Sequence, residues 1–157
     1  MIKTFFLKIV LLLFIIAAGN NVMAQTKPVK NKFKPPVVKT YLGKIFGTAN
    51  ILPVMDGLQI IDSSLKVVDA KGNLYTITYY QFAFKRVGVS EDDSTGKVVP
   101  ESDYAADHFT TTPLPDLWRN TIKQTLTAGE DIHFFDIIVK DSKEHFFYAP
   151  QLKISFR

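Results

Sequence analysis

The sequence predicts a mainly β domain, a β-sandwich with one α-helix. Leu74–Val87 is long and rich in β-branched and aromatic residues, which are typical of strands. Two apolar segments further along, Ile132–Lys140 and His145–Pro150, are separated by a short polar turn and indicate a hairpin. Pro113–Leu126 has the four-residue apolar spacing of an amphipathic helix.

Residues 1–24 have the three parts of an export signal. Two lysines precede the apolar run Ile9–Gly19, and Val22–Ala24 resembles a cleavage site. The run is shorter than the ~20 residues that a spanning helix needs, so cleavage before Gln25 is favoured over an uncleaved anchor. We expect an exported protein, periplasmic or extracellular, with no stable membrane span after cleavage. The chain has no cysteine, which excludes disulfides and a thiol-linked lipid anchor.

Residues 25–39 form a basic linker rich in proline and lysine, with five lysines and no carboxylate. From Thr40 onward twelve basic residues stand against fifteen acidic ones, so the folded part is mildly acidic. The linker lacks strand or helix periodicity and is interpreted as a solvated spacer, with attraction to an anionic surface as the alternative. Nucleic acid is not an expected partner of an exported protein. Residues 40–157 are expected to form one domain.

Four segments lead up to the long strand. Thr40–Gly47 alternates weakly and is a candidate first strand. Asn50–Gly57 contains a proline and a glycine and is interpreted as a turn. Leu58–Ala70 is one bent strand or two short ones. Asp69–Asn73 is a hairpin turn whose glycine can take a positive φ angle.

The long strand is followed by a polar segment. One face of the strand becomes more apolar toward its end, and Tyr80, Phe82 and Phe84 are assigned to the core. Val89–Thr112 is polar and acidic and is interpreted as a long surface loop, which could include a short hairpin around Gly96. Loops of this length are usually functional or mobile.

The predicted helix has recognisable ends. Thr112 is its expected N-cap, and Gly129 lies just beyond its C-terminus, where a positive φ angle is favoured. An apolar stripe is expected to pack against the sheets, and we assign Trp118 to the core. The stripe consists of Leu114, Trp118, Ile122 and Leu126.

The late hairpin has a predicted register. With its turn at Asp141–Glu144, Ile138 lies opposite Phe147 and His133 lies opposite Leu152. Both faces are then apolar, which predicts a hairpin covered on two sides. A last, half-buried strand is predicted from the alternating residues Leu152, Ile154 and Phe156.

No catalytic or metal-binding pattern is evident. The histidines His108, His133 and His145 lack the spacing of a metal site. Asp92–Gly96 resembles a calcium loop only loosely. Motifs for phosphate binding, nucleophilic serine or zinc hydrolase chemistry are absent from the sequence. We expect no enzymatic activity, no cofactor and no metal site.

The C-terminal third nevertheless has a recognisable pattern. A helix ends at a glycine, a strand of the form G-x-[DE]-hydrophobic-x-F-x-[DEN]-I follows, and a final strand alternates apolar residues. The residues are Leu117, Ile122, Gly129, Asp131, Ile132, Phe134, Asp136, Ile137, Leu152, Ile154 and Phe156. This pattern resembles the C-terminal domain of the gliding-motility and type IX secretion protein GldM, and Phe82–Val87 is loosely similar to an earlier strand of that domain. The family's glycine-rich turn is replaced here by Asp141–Glu144.

The resemblance implies an immunoglobulin-like β-sandwich that binds proteins in the periplasm. Its expected partners are envelope proteins, including ring components of the secretion motor. We place the contact surface in the acidic segment, at Asp92, Asp93, Tyr104, His108 and Phe109. The alternative is an exported binder of small ligands or glycans.

That alternative depends on three tyrosines. It would use Tyr75, Tyr79 and Tyr80 together with the acidic segment. A pocket lined by convergent aromatic rings would favour ligand binding, whereas a filled core with an exposed apolar edge would favour protein binding.

Overall fold

The computed structural model describes residues 32–157, and Phe33–Arg157 form one compact unit. The predicted signal peptide, residues 1–24, and most of the predicted linker, residues 25–39, lie outside the described residues. Strand β1 (Val38–Leu42) starts within the range predicted as linker. Val38 is buried, so the folded unit begins earlier than the charge pattern indicated.

Nine strands and two helices make up the described part of the chain. The remaining strands are β2 (Ile45–Phe46), β3 (Asn50–Leu52), β4 (Leu65–Asp69), β5 (Leu74–Glu91), β6 (Val98–Phe109), β7 (Asp131–Lys140), β8 (Phe146–Ala149) and β9 (Leu152–Phe156). The helices are α1 (Val54–Ile60) and α2 (Asp116–Thr125). The predicted fold class is confirmed: the domain is mainly β and sandwich-like.

The long strand β5 joins two groups of strands. Its start pairs with β4 of the group β2-β1-β4, and its middle pairs with β7 of the group β7-β9-β3. β6 pairs with β5, and β8 pairs with β7. All pairs are antiparallel except β3 with β9.

One hydrophobic core fills the space between the strand groups. Val67 from the first group and Phe134 and Ile154 from the second belong to the same buried cluster. The predicted core face of β5 is confirmed, because Tyr80, Phe82 and Phe84 are buried. The core is therefore filled by side chains from both groups, as dense packing requires.

Helix α2 covers one side of this core. Leu114, Ile122 and Leu126 are buried, and Trp118 is half-buried with its ring 5.2 Å from that of Phe82. The predicted apolar stripe is thus confirmed. The predicted cap is wrong: the N-cap is Pro115, and the Thr112 hydroxyl oxygen instead accepts a hydrogen bond from the Leu65 amide at 2.6 Å.

Helix α1 corrects the prediction of a turn at Asn50–Gly57. A proline at the start of a helix is tolerated because the first amides have no intrahelical acceptor, and Pro53 is the N-cap. Gly57 is needed for close packing, since a Cβ atom there would overlap the ring of Phe156 and lie 3.0 Å from Leu126 Cδ2. Residues 32–157 therefore contain two helices where the sequence predicted one for this part of the chain.

The segments before β5 agree more closely with the predictions. The candidate first strand is β1 followed by β2, with Gly43 at a φ angle of 59° between them. Of Leu58–Ala70, only Leu65–Asp69 is a strand. The hairpin turn Asp69–Asn73 is confirmed by the Asp69 amide, which donates to the Asn73 carbonyl at 3.1 Å.

The late hairpin is present, but its predicted register is wrong by one residue. Ile138 pairs with Tyr148, and His133 pairs with Lys153. The cause is the turn: Glu144 has a φ angle of 62°, and the Asp141 amide donates to the His145 carbonyl at 3.1 Å. His145 thus belongs to the turn and not to β8.

This shift exchanges the faces of β8, because side chains alternate along a strand. Phe147 is buried, whereas Phe146 and Tyr148 are 59% and 71% exposed. The prediction that both faces of the hairpin are covered is therefore wrong. One face lies on the core and the other is in contact with solvent.

Candidate functional site

The segment predicted as a long polar loop, Val89–Thr112, is mostly a β-ribbon. β5 continues to Glu91, and β6 returns along it with pairs from Glu91 and Val98 to Tyr80 and Phe109. The hairpin around Gly96 is confirmed, and the loop interpretation is wrong. We call residues 87–109 the β5–β6 ribbon.

The tip of the ribbon is built around Asp92. Its Oδ1 atom accepts hydrogen bonds from the amides of Ser94 and Thr95, both at 2.9 Å, and Gly96 has a φ angle of 62°. The side chain of Ser94 and these amides stabilise the carboxylate, which lowers the pKa of Asp92. Asp92 therefore shapes the turn, and Asp93 lies exposed beside it.

The base of the ribbon is fixed by a buried carboxylate. Glu130 is 3% exposed; its Oε1 accepts from the Val87 amide at 3.3 Å and its Oε2 from the Thr127 amide at 2.9 Å. Arg86 forms an ion pair with Asp103 across the two strands. These contacts border a groove of about 310 Å³ between the ribbon base and the end of α2.

The predicted contact residues occupy different places on the ribbon. Tyr104 is 64% exposed and His108 is exposed on β6, with the His108 ring 5.9 Å from that of Tyr79. Phe109 is different because it packs on the core. Its ring centroid lies 5.7 Å from that of Tyr80 and 6.1 Å from that of Trp118. Phe109 thus anchors the ribbon and is not an accessible contact.

Exposed valines were missed by the sequence reasoning. They lie on both ribbon strands near the tip, and Val89 is 71% exposed. The set is Val87, Val89, Val98 and Val99. The alternation of Val87 and Val89 was an available signal, but the surrounding acidic residues favoured the loop interpretation.

β6 forms an edge of the sheet, since within residues 32–157 it pairs only with β5. The amide and carbonyl of one residue point to the same side of an antiparallel strand, and successive residues alternate. The His108 amide donates to Asp107 Oδ1 at 2.8 Å, so it points away from β5. The even-numbered residues of β6 therefore present their backbone groups at the open edge.

Two further observations agree with this assignment. Pro100 lacks an amide hydrogen, and proline in a sheet is found where that position faces solvent. The Val87 amide points to Glu130, so its pair with Ser102 is not hydrogen-bonded across the ribbon. The amides of Ser102, Tyr104 and Ala106 thus face outward. This stretch ends at Pro100, which has no amide hydrogen, and at His108, whose amide is already bonded to Asp107.

The other candidate groups lie apart from one another. His133 Nε2 is 3.0 Å from Gln151 Oε1, and His145 Nδ1 is 2.9 Å from Asp141 Oδ2. Within the described residues, no group of three or more histidine, aspartate or glutamate side chains is arranged to hold a metal ion. His108 is on the ribbon, so the three histidines form no common site.

The three tyrosines proposed for ligand binding do not converge. Tyr80 is buried, its hydroxyl donates to the Thr111 carbonyl at 2.9 Å, and burial raises its pKa to about 12. Tyr79 lies beside His108. Tyr75 instead borders a second groove, of about 510 Å³, together with Phe33 and His145. We call this the hairpin-end groove.

Comparison with known proteins gave no assignment: no family model and no curated protein matches the chain. Neither helix of the described region has the length and hydropathy to cross a membrane.

Most residues of the C-terminal sequence pattern have structural roles, although Leu117 is 76% exposed. Ile132, Phe134 and Ile137 are buried in the core. Asp136 has a φ angle of 48°, which aspartate tolerates better than most residues, and its Oδ2 accepts from Gln81 Nε2 at 2.9 Å. The pattern therefore describes how β7 is built, and the exposed ribbon lies outside it.

Proposed function

We propose that this chain is an exported, non-catalytic protein-interaction module that binds its partner through the β5–β6 ribbon. The observation that carries the proposal is the open edge of β6 beside exposed valines. An unpaired edge with apolar neighbours is a surface to which another polypeptide can add. Export is supported by the signal-like pattern of residues 1–24.

We also propose that the partners belong to the envelope, with ring components of the type IX secretion and gliding machinery as the first candidates. The support is the resemblance of the C-terminal pattern to the GldM domain. Because that pattern consists mostly of core residues and of Asp136 with its positive φ angle, the resemblance supports a shared architecture more directly than a shared partner. The ribbon would then determine which partner binds.

Site-specific crosslinking tests the proposal. A photo-reactive amino acid is placed at Tyr104, which is 64% exposed on the ribbon, and at Leu117, which is 76% exposed on α2 as the matched control. The full chain, residues 1–157, is expressed in the source organism so that its signal-like segment is retained, and the adducts are identified by mass spectrometry. We expect a defined envelope protein at Tyr104 and not at Leu117.

A second variant makes this test decisive. Val89→Lys introduces a positive charge on the apolar part of the ribbon without touching the core, and it should reduce the Tyr104 adduct while leaving the folded domain intact. Equal adducts at both positions, or an adduct insensitive to Val89→Lys in a folded protein, would contradict a ribbon interface. If the partner does not belong to the secretion machinery, the proposed protein-interaction function stands and the proposed association with that machinery is rejected.

Small-ligand or glycan binding is a second candidate function, and the hairpin-end groove favours it. Phe33 stacks on His145 with ring centroids 4.4 Å apart, and Tyr75 lines the same groove. Aromatic faces beside polar groups suit a sugar ring. Binding of envelope glycans that is lost in Tyr75→Ala but retained in Val89→Lys would favour this function.

A further inference from the structure

We infer that the partner contacts the ribbon with an extended, lysine- or arginine-rich segment that adds to β6 as a new strand. The inference rests on the proposed function and specifies the chemistry of its partner. It combines two features of β6: the outward-facing backbone groups of Ser102, Tyr104 and Ala106, and the charge of the side chains around them.

The backbone of β6 determines how long a partner strand can pair with its open edge. Glu101–Phe109 contains no proline, so each amide of this stretch donates either to β5 or toward the open edge. Pro100 removes one edge donor at one end, and the Asp107 carboxylate occupies the His108 amide at the other. Between them the edge can accept one short strand, of about five residues.

The side chains of β6 determine the charge of the occupant. Residues 87–109 carry six carboxylates against one lysine, Lys97. Cross-strand neighbours of opposite charge stabilise a sheet, and like charges directly opposite destabilise it. Glu101 makes no ion pair within the described residues, and Asp103 is already paired with Arg86. A strand with lysine or arginine at alternate positions would place its cations beside Glu101 and Asp107.

The opposite face of the added strand would meet a different surface. Ser102, Tyr104 and Ala106 alternate with the acidic residues, so their side chains lie on the other face of β6. Small or β-branched side chains of the partner would pack beside the Tyr104 ring. The preferred segment therefore alternates basic residues with valine, threonine or similar residues.

A second copy of this chain is disfavoured as the occupant of the edge. In a symmetric antiparallel pair centred on Tyr104, Glu101 of one copy lies opposite Asp107 of the other, and this contact occurs twice. Pairing centred on Ser102 brings Glu101 opposite Asp103. Each of these registers sets carboxylate against carboxylate, whereas a basic strand removes the repulsion.

Peptide binding provides the test. The probe is a blocked, fluorescent peptide of about seven residues in which lysine alternates with valine. Two matched peptides have glutamate in place of lysine, or the lysine sequence with alternate backbone amides N-methylated. The protein is the chain from Gln25, and binding is measured by anisotropy at several salt concentrations. Slowed exchange of the Ser102, Tyr104 and Ala106 amides locates the peptide.

We expect the lysine peptide to bind and to protect these three amides, and the glutamate peptide not to bind. The N-methylated peptide should bind at least about tenfold more weakly, because it keeps the charge but loses main-chain hydrogen bonds. Ala106→Pro removes one outward amide and should also weaken binding about tenfold. Glu101→Gln should lower the affinity for the lysine peptide and make that affinity less dependent on salt concentration. Asp56→Asn, on α1, should change neither.

Several results would overturn the inference. Equal binding of the methylated and unmethylated peptides would mean that charge alone attracts the probe. Failure of the lysine peptide to bind, with a persistent crosslink at Tyr104, would reject the basic strand while the proposed function stands. Loss of both signals in a folded protein would reject both proposals. A dimer in sedimentation that is lost in Ala106→Pro would identify a second copy as the occupant.

Discussion

The two halves of β5 differ in their neighbouring strands. Around Tyr80–Phe84 the strand lies between β6 and β7 and its inner side chains are buried. Pairing with β7 ends at Lys85 and Asp131. Beyond that point, within residues 32–157, β6 is the only strand paired with β5, and Val89 is 71% exposed. The same strand thus lines the core in one half and forms an exposed ribbon in the other.

Strand formation and burial are therefore separate properties of this segment. Residues 87–91 include two valines, whereas Tyr80–Phe84 is mostly aromatic, and both residue types favour strands. Within residues 32–157, however, residues 87–91 pair only with β6. Stability should therefore fall steeply along β5, with the core half opening only in global unfolding and the ribbon tip opening locally.

The largest contrast is expected between equivalent truncations in the two halves. Phe82→Ala removes a fully buried ring and should reduce the free energy of unfolding by about 3–5 kcal/mol. Val89→Ala should change it by less than about 0.5 kcal/mol. Urea denaturation of both variants measures the difference. Similar losses in the two variants would mean that the ribbon belongs to the cooperative core.

The junction between the halves should be the next most sensitive place. Glu130→Ala leaves the Val87 and Thr127 amides without their acceptor and should cost about 2–3 kcal/mol. Hydrogen exchange would show the ribbon base opening faster than the Tyr80–Phe84 region. If exchange accelerated equally along β5, Glu130 would support the whole domain and not the junction.

Proline substitutions at two neighbouring residues of β6 should differ in their effect on stability. Ala105→Pro removes an amide that faces β5 and should cost about 1–3 kcal/mol. Ala106→Pro removes an outward amide and should cost less than about 1 kcal/mol. Thermal denaturation of the pair checks the assignment of the open edge. The reverse order of stabilities would place the outward amides on the odd-numbered residues.

The smallest expected effect compares the turns at the two ends of β5. The Asn73 side chain and nearby amides stabilise the Asp69 carboxylate and lower its pKa to about 2. Because the folded pKa lies below the unfolded value of 3.8, this stabilisation is complete above about pH 4 and is lost as the pH falls toward 2. Asp69→Asn should lower Tm at pH 7, and the difference from wild type should vanish near pH 2.

Asp92 provides the matched control at the other end. Its pKa is also lowered, first by the Ser94 side chain, but its turn lies on the exposed ribbon. Asp92→Asn should accelerate amide exchange at the tip and leave Tm nearly unchanged. A Tm loss as large as that of Asp69→Asn would show that the tip is coupled to global unfolding.

Much of the core could be predicted from the sequence because its signals are local. The alternation of Tyr80, Phe82 and Phe84, the stripe of α2 and the turn at Asp69–Asn73 each follow from side-chain periodicity or turn chemistry. Neighbouring residues were sufficient to identify them.

The remaining features depend on distant partners or on a backbone conformation that the residue type does not reveal. The helical role of Gly57 requires knowing that Phe156 lies against it. The register of the late hairpin depends on the left-handed backbone of Glu144. The open edge of β6 becomes evident only when the strand order is known. Two of the exposed candidate residues, Tyr104 and His108, were predicted from a segment whose structure was predicted wrongly.

The position of β9 has a consequence for how the chain folds. It is the last strand, yet it lies between β7 and β3, so Ile132 and Phe134 have no neighbouring strand on that side until residues 152–156 have been synthesised. No earlier fragment can close the sheet, and folding is delayed by this long-range pairing. Such an order keeps the sheet of a nascent chain open until β9 has been made, which agrees with the export that we propose.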